Sequence, residues 1–134
     1  KAIPLLQEAG AKKVVMLSVS VPSHCSLMKP AADNLAKFME SFSFQAPQVP
    51  VLHNADVQTH QTDAEIKQAL VEQLYRPVQW VKTVQKMAEE GVEALYELGP
   101  GKVLMGLNRR IDRRVKTTPV YDTASLQKAV ESLS

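Results

Sequence analysis

The sequence predicts an α/β protein, a partial parallel sheet with flanking helices. Short apolar runs of β type alternate with stretches in which apolar residues recur at helical spacing. Glycine and proline punctuate the joints, at Gly10, Pro47, Pro50, Gly91 and Gly99-Pro100-Gly101. Only three or four strand-like runs occur in 134 residues. So few strands make a thin parallel sheet, and such sheets need both faces covered, so a further segment is expected to complete it.

The elements follow in order. Leu5 to Ala9, stopped by Gly10, reads as the end of a helix. Val14-Val15-Met16-Leu17, closed by Ser18, reads as a buried strand, and the Ser18–Val21 stretch after it runs into a turn at Pro22. From Pro30 a helix is expected with Ala31, Leu35, Phe38, Met39 and Phe42 on one face. Val49 to Asn54 follows the Pro47 and Pro50 breaks as a short strand. Thr62-Asp63-Ala64-Glu65 has the form of a capping box, opening a helix with Ile66, Leu70 and Leu74 inward. Pro77 suits the first turn of the next helix, whose stripe is Trp80, Val81, Val84, Met87 and Ala88. Ala94 to Leu98 is a strand, turned by Gly99-Pro100-Gly101 into a helix carrying Val103, Leu104, Leu107 and Ile111. Val115 to Tyr121 is the last strand. Asp122 or Thr123 then caps a helix with Leu126, Ala129, Val130 and Leu133 inward.

Composition narrows the class. Hydrophobic residues make up 45% and charged residues 22%, ordinary for a soluble globular protein of one core. A net charge of +2 gives no general affinity for nucleic acid, and seven aromatic residues offer no stacking platform for it. No apolar stretch approaches the roughly 18–20 residues that span a bilayer. The single cysteine, Cys25, forms no internal disulfide, which fits a reducing, cytoplasmic compartment. Lys1-Ala2-Ile3-Pro4 is neither an initiator methionine nor a signal peptide, the start expected of a piece of something longer.

His24 is the principal candidate for chemistry. A histidine often serves as a core residue satisfied by backbone. Here it directly follows the Pro22-Ser23 turn at the end of an apolar run, where sites gather in open α/β sheets. An imidazole there can act as base or acid near neutral pH. No Gly-x-Ser-x-Gly nucleophile elbow accompanies it. His53 and His60 flank a polar loop and read as surface histidines. No two-cysteine or His-x-x-x-His pattern supports a zinc site with His24 and Cys25, so no metal is expected. Gly99-Pro100-Gly101-Lys102 lacks the spacing of a phosphate loop and reads as a tight turn. Lys102, Arg109, Arg110, Arg113, Arg114 and Lys116 crowd a segment opposed only by Asp112, and Lys12-Lys13 form a second cluster. Such a run is either a solvated face or a docking surface for an acidic protein or a phosphorylated ligand.

Three motifs together carry a resemblance: Ser-Val-Pro-Ser-His-Cys-Ser-Leu-Met-Lys-Pro-Ala-Ala at 20–32, Gln-Leu-Tyr-Arg-Pro-Val-Gln-Trp at 73–80, and Glu-Leu-Gly-Pro-Gly-Lys-Val-Leu at 97–104. In order and spacing they resemble the bacterial malonyl-CoA:acyl carrier protein transacylase family, along essentially the whole chain and as its C-terminal portion. The resemblance implies that residues 1 to about 18 close a ferredoxin-like small subdomain. Residues 19–134 would belong to an α/β-hydrolase-like large one. It implies that His24 is the general acid/base and that the backbone carbonyl of Gln73 orients it. Lys12, Lys13, Arg109 and Arg110 fall where the family has basic residues for carrier docking. Ser23 does not fix the acyl specificity.

The family's serine nucleophile, its malonyl-gripping arginine and its glutamine-containing oxyanion loop lie upstream and have no counterpart here. Implied with the family are malonyl-CoA as donor, the carrier's phosphopantetheine thiol as acceptor, no bound cofactor, no nucleic-acid or membrane partner, a monomeric complete enzyme and a place in fatty acid biosynthesis. Two other classes stand beside this reading. One is a non-catalytic α/β module that docks an acidic partner; the other is part of a serine thioester hydrolase, in which water replaces the carrier thiol.

Overall fold

The computed structural model describes residues 2–133. Helix α1 (Ala2–Glu8) ends at Gly10, whose φ of 92° is the left-handed turn that glycine adopts without strain. A 3₁₀ turn at Ser26–Met28 leads into α2 (Lys29–Met39), which lies against α3 (Asp63–Tyr75). Helix α4 (Trp80–Glu89) precedes β1 (Ala94–Leu98), α5 (Val103–Ile111), β2 (Lys116–Val120) and α6 (Thr123–Glu131). The strands β1 and β2 pair in parallel, from Ala94 opposite Lys116 to Leu98 opposite Val120. Thus β1-α5-β2 is a crossover unit, as the alternation of apolar patterns predicts.

Local chemistry fixes the helix starts. Thr62 caps α3 in a reciprocal box with Glu65, and Asp122 caps α6 in the same way with Ser125. At α5 the N-cap is Lys102, which makes no side-chain cap bond. Glu97 of β1 takes its place: its two carboxylate oxygens accept the Leu104 and Met105 N–H groups, each at 2.8 Å. A carboxylate on free N–H groups at a helix start is favoured by both hydrogen bonding and the helix dipole.

The core holds a polar hub. Asn108 is 2% exposed, accepts the Trp80 Nε1–H at 2.9 Å and donates to Thr117 Oγ1 at 3.0 Å, so it joins α4, α5 and β2. Val84, Val115, Val120 and Ala129 are buried in the same half of the chain. Asn108→Leu removes the acceptor for Trp80 and the donor to Thr117, and is expected to cost about 1–3 kcal/mol. Denaturant unfolding of the purified chain checks this; an unchanged midpoint and slope would contradict it.

Several expected features differ. Residues 13–20 form no strand, and Val15, Met16 and Leu17 are 60%, 75% and 76% exposed. A strand requires a neighbour's backbone, and none among the described residues pairs with this run. Residues 49–54 give only a single antiparallel bridge, Leu52 to Thr59, because the chain folds back at once through Val57 N–H to His53 O. Pro77 lies three residues ahead of Trp80, outside the first turn of α4. On α2 the buried residues are Ala32 and Met39; Phe38 is exposed and touches Phe42, which lies beyond the end of the helix and is also exposed, ring centres 4.9 Å apart. Val81 on α4 and Val103 and Leu107 on α5 are exposed. On α6 only Ala129 is buried; Leu126 and Val130, and Leu133 just beyond the helix, are exposed. These stripes are wider than the cover that the described residues supply.

Candidate active site

His24 is not at a strand end. It sits in a turn with φ of 62°, a left-handed conformation that costs a non-glycine residue about 1–3 kcal/mol. What holds it is the C-terminus of α3, 49 residues further on. The last N–H donated within that helix runs from Arg76 to the Glu72 carbonyl, at 2.9 Å. The next two carbonyls both serve His24. Leu74 O accepts the His24 backbone N–H at 2.9 Å, and Gln73 O lies 2.8 Å from the ring Nδ1. A carbonyl oxygen only accepts, so this bond requires the hydrogen on Nδ1 and leaves the Nε2 lone pair free.

The arrangement serves both partners. Free carbonyls at a helix end need donors, and His24 supplies two. The turn is also tied locally. Ser23 N–H donates to Val21 O at 2.8 Å and the half-buried Cys25 thiol to Pro22 O at 3.2 Å. Lys29, at the start of α2, places its ammonium 5.8 Å from the centre of the Tyr75 ring, linking the start of α2 to the end of α3.

Among the described residues no hydrogen bond or ion pair joins Lys12, Lys13, Arg109 or Arg110 to His24. Arg109 and Arg110, in the last turn of α5, line a surface depression of about 530 Å³ with Gly106 and Arg113. Lys12 and Lys13 are exposed in the segment before residue 14, outside that depression. Asp112, the one acid of the stretch, is engaged by Arg114 through Nη2–Oδ2 at 2.6 Å. That bond holds its carboxyl below the ordinary range. Arg109, Arg110 and Arg113 make no ion pair among the described residues.

No protein-family model matches the chain. Curated relatives do. The chain is 50% identical over 133 residues to the malonyl CoA-acyl carrier protein transacylase of Haemophilus influenzae, covering 99% of this chain and 43% of that one. The Escherichia coli K12 protein of the same name is 51% identical over 92% of this chain and 40% of its own length. That of Bacillus subtilis is 40% identical over 98% and 42%. A malonyl-CoA:acyl carrier protein transacylase structure from Xanthomonas oryzae superposes with a TM-score of 0.89 at 47% identity, covering 98% of this chain and 42% of that one. A malonyl-transacylase solved in complex with its type II PKS acyl-carrier protein superposes at 0.88 and 52% identity, over 94% and 41%. The chain belongs to the malonyl-CoA:acyl carrier protein transacylase family. It spans about two fifths of the length of the curated relatives it matches.

Within this transacylase segment the other two histidines differ from expectation. His53 is buried, and its ring centre lies 5.1 Å from that of His60. His60 is half-buried and pairs through Nε2 with Asp56 Oδ2 at 2.8 Å. The polar composition of residues 53–60 conceals a loop that closes on itself, so these are not two surface histidines. Among the described residues no three His, Cys, Asp or Glu side chains are grouped to hold a metal ion. Glu97 was not legible as a cap. The signal for it is the lysine at the N-cap of α5, which obliges the free N–H groups to find an acceptor elsewhere.

The loop makes stability depend on pH. Burial, reinforced by His60 and partly offset by Asp56, holds His53 below its ordinary value of 6.5. The folded chain therefore binds this proton less tightly than the unfolded one. Its contribution is complete above pH 6.5 and is lost as pH falls through 6.5 and the lower folded value. Asp56 is also lowered: partial burial acts upward, but bonds from His60 and the Gln58 N–H outweigh it. Its contribution is lost only in the acid range, below the ordinary 3.8. The chain is expected to unfold at lower denaturant at about pH 5.5 than at about pH 7.5, with His53→Phe flattening the difference. A midpoint independent of pH in the parent chain would contradict this.

Proposed function

We propose that the chain supplies the acid/base part of a malonyl-CoA:acyl carrier protein transacylase. The observation that carries the reading is the 2.8 Å contact between His24 Nδ1 and Gln73 O. It fixes the tautomer a general base needs and uses a neutral dipole where a serine-protease triad uses a carboxylate. In the first half-reaction a serine outside this chain gives its proton to His24 Nε2, and its Oγ attacks the malonyl thioester carbon. The C–S bond breaks, and His24 returns the proton to the sulfur of departing coenzyme A. In the second, His24 takes the proton of the carrier's phosphopantetheine thiol. The sulfur attacks the acyl-serine, the C–O bond breaks and the proton goes back to serine.

Residues 1–18 then belong to the smaller subdomain of the enzyme and 19–134 to the larger. Lys12, Lys13, Arg109 and Arg110 draw in the acyl carrier protein. Coenzyme A and phosphopantetheine act as substrates, no further cofactor takes part, and the complete enzyme works as a cytoplasmic monomer in fatty acid biosynthesis. Among the described residues no helix is long and apolar enough to cross a membrane.

Mass spectrometry of a complete enzyme carrying this segment tests the reading. With malonyl-CoA alone, a malonyl adduct is expected on the enzyme, discharged on addition of holo carrier protein. The 134-residue chain by itself is expected to form no adduct and transfer nothing. Transfer by the chain alone, above that of its His24→Ala variant, would contradict this division of roles.

A further inference from the structure

In a continuing α-helix the carbonyl of residue 73 receives the N–H of residue 77, four positions on. Residue 77 is proline, which has no N–H to give. Proline also restricts the residue before it to extended backbone. Arg76 is there, with φ −94° and ψ 149°, so α3 stops and the chain turns away. Two consequences meet at the candidate site. Gln73 O has no helical donor and is bonded by His24 Nδ1 at 2.8 Å. Leu74 O, whose own helical partner would be residue 78, is bonded by the His24 N–H at 2.9 Å. Downstream, Gln79 N–H donates to Asn54 O at 2.8 Å, anchoring the far end of the connector before α4 begins.

We infer that Pro77 is a positioning residue for His24. It withholds the backbone donor that would compete for the Gln73 carbonyl. The carbonyl is thereby reserved for the imidazole. Pro77 acts through Gln73 and His24. The inference rests on the reading of His24 as the acid/base of acyl transfer.

The experiment uses a complete enzyme carrying this segment and follows single-turnover release of coenzyme A from malonyl-CoA. Pro77→Ala restores an N–H at that position. Acylation is expected to slow about tenfold at saturating substrate, as for loss of one orienting hydrogen bond, with KM for malonyl-CoA unchanged within about twofold. A second variant, in which Pro77 is replaced by lactate so that an ester takes the place of the peptide bond, has neither the ring nor an N–H. Its rate is expected to lie near the parent's.

Parent-like acylation by Pro77→Ala overturns the inference. So does an ester variant as slow as Pro77→Ala, which would assign the loss to the missing ring rather than to the restored donor. A loss confined to KM overturns it as well. His24→Ala, measured alongside, separates the two claims. If that variant acylates normally, the reading of His24 fails. If it is slow while Pro77→Ala is normal, only the role of Pro77 fails.

Discussion

In a complete enzyme carrying this segment, His24→Ala is expected to slow acylation by malonyl-CoA by about 10²–10⁴-fold, the usual contribution of a positioned general acid–base. On the proposed mechanism the loss belongs to the chemical step, in which Nε2 takes the proton from the nucleophile and returns it to the leaving sulfur. Binding of malonyl-CoA is expected to survive, so the effect appears in kcat more than in KM. Gln73→Ala is expected to be far milder, because the contact to His24 comes from its backbone carbonyl. Rapid-quench measurement of coenzyme A release checks both. Near-normal release by His24→Ala would remove the imidazole from the mechanism, and an equally large loss in Gln73→Ala would show that the amide side chain is used.

The second large effect is expected at the other end of the segment. Arg109 and Arg110 have no acidic partner among the described residues, since Asp112 is held by Arg114. Reversing both arginines to glutamate is expected to raise the KM for an acidic carrier protein by about tenfold or more at low salt. Added salt should shrink the difference, because exposed charges are screened over about 8–10 Å at physiological ionic strength. Acylation by malonyl-CoA is expected to change little. The two half-reactions measured separately at two ionic strengths decide the matter. Equal losses in both would indicate a fold or coenzyme A defect, and no loss in either would return the arginines to a solvated helix face.

The parts of the fold legible in the sequence are those whose signals are local. Gly99-Pro100-Gly101 turns β1 into α5, with φ of 139° and 100° at the two glycines. The boxes at Thr62 and Asp122 start α3 and α6 where the residue pattern puts them. Elements that depend on a distant partner were not legible. Val14 to Leu17 has the composition of a buried strand, but pairing is supplied by a neighbour, and none of the described residues provides one. Nothing local in the sequence marks Asn108 as a core residue. It is buried because Trp80 and Thr117, 28 and 9 residues away, satisfy its amide.

The candidate site shows the same division. The type of residue 24 suggests proton transfer, yet the strand-end geometry expected for it does not occur. The placement of His24 is set by two carbonyls near the end of α3, 49 and 50 residues on, of which Gln73 follows from family resemblance and Leu74 from neither pattern nor resemblance. The motif at 73–80 contains the cause in plain view. A proline four residues after Gln73 says that this carbonyl is free, but only the folded chain shows what takes it.

The contact to Gln73 O holds His24 as the Nδ1–H tautomer with Nε2 open. Nitrogen-15 NMR of the complete enzyme tests it directly, with labelled histidine and His24 assigned by its absence in His24→Ala. For the neutral ring, Nδ1 is expected to show the shift of a protonated, hydrogen-bonded nitrogen and Nε2 that of a bare one. The opposite pattern, or the averaged shifts of a ring exchanging between tautomers, would contradict the account.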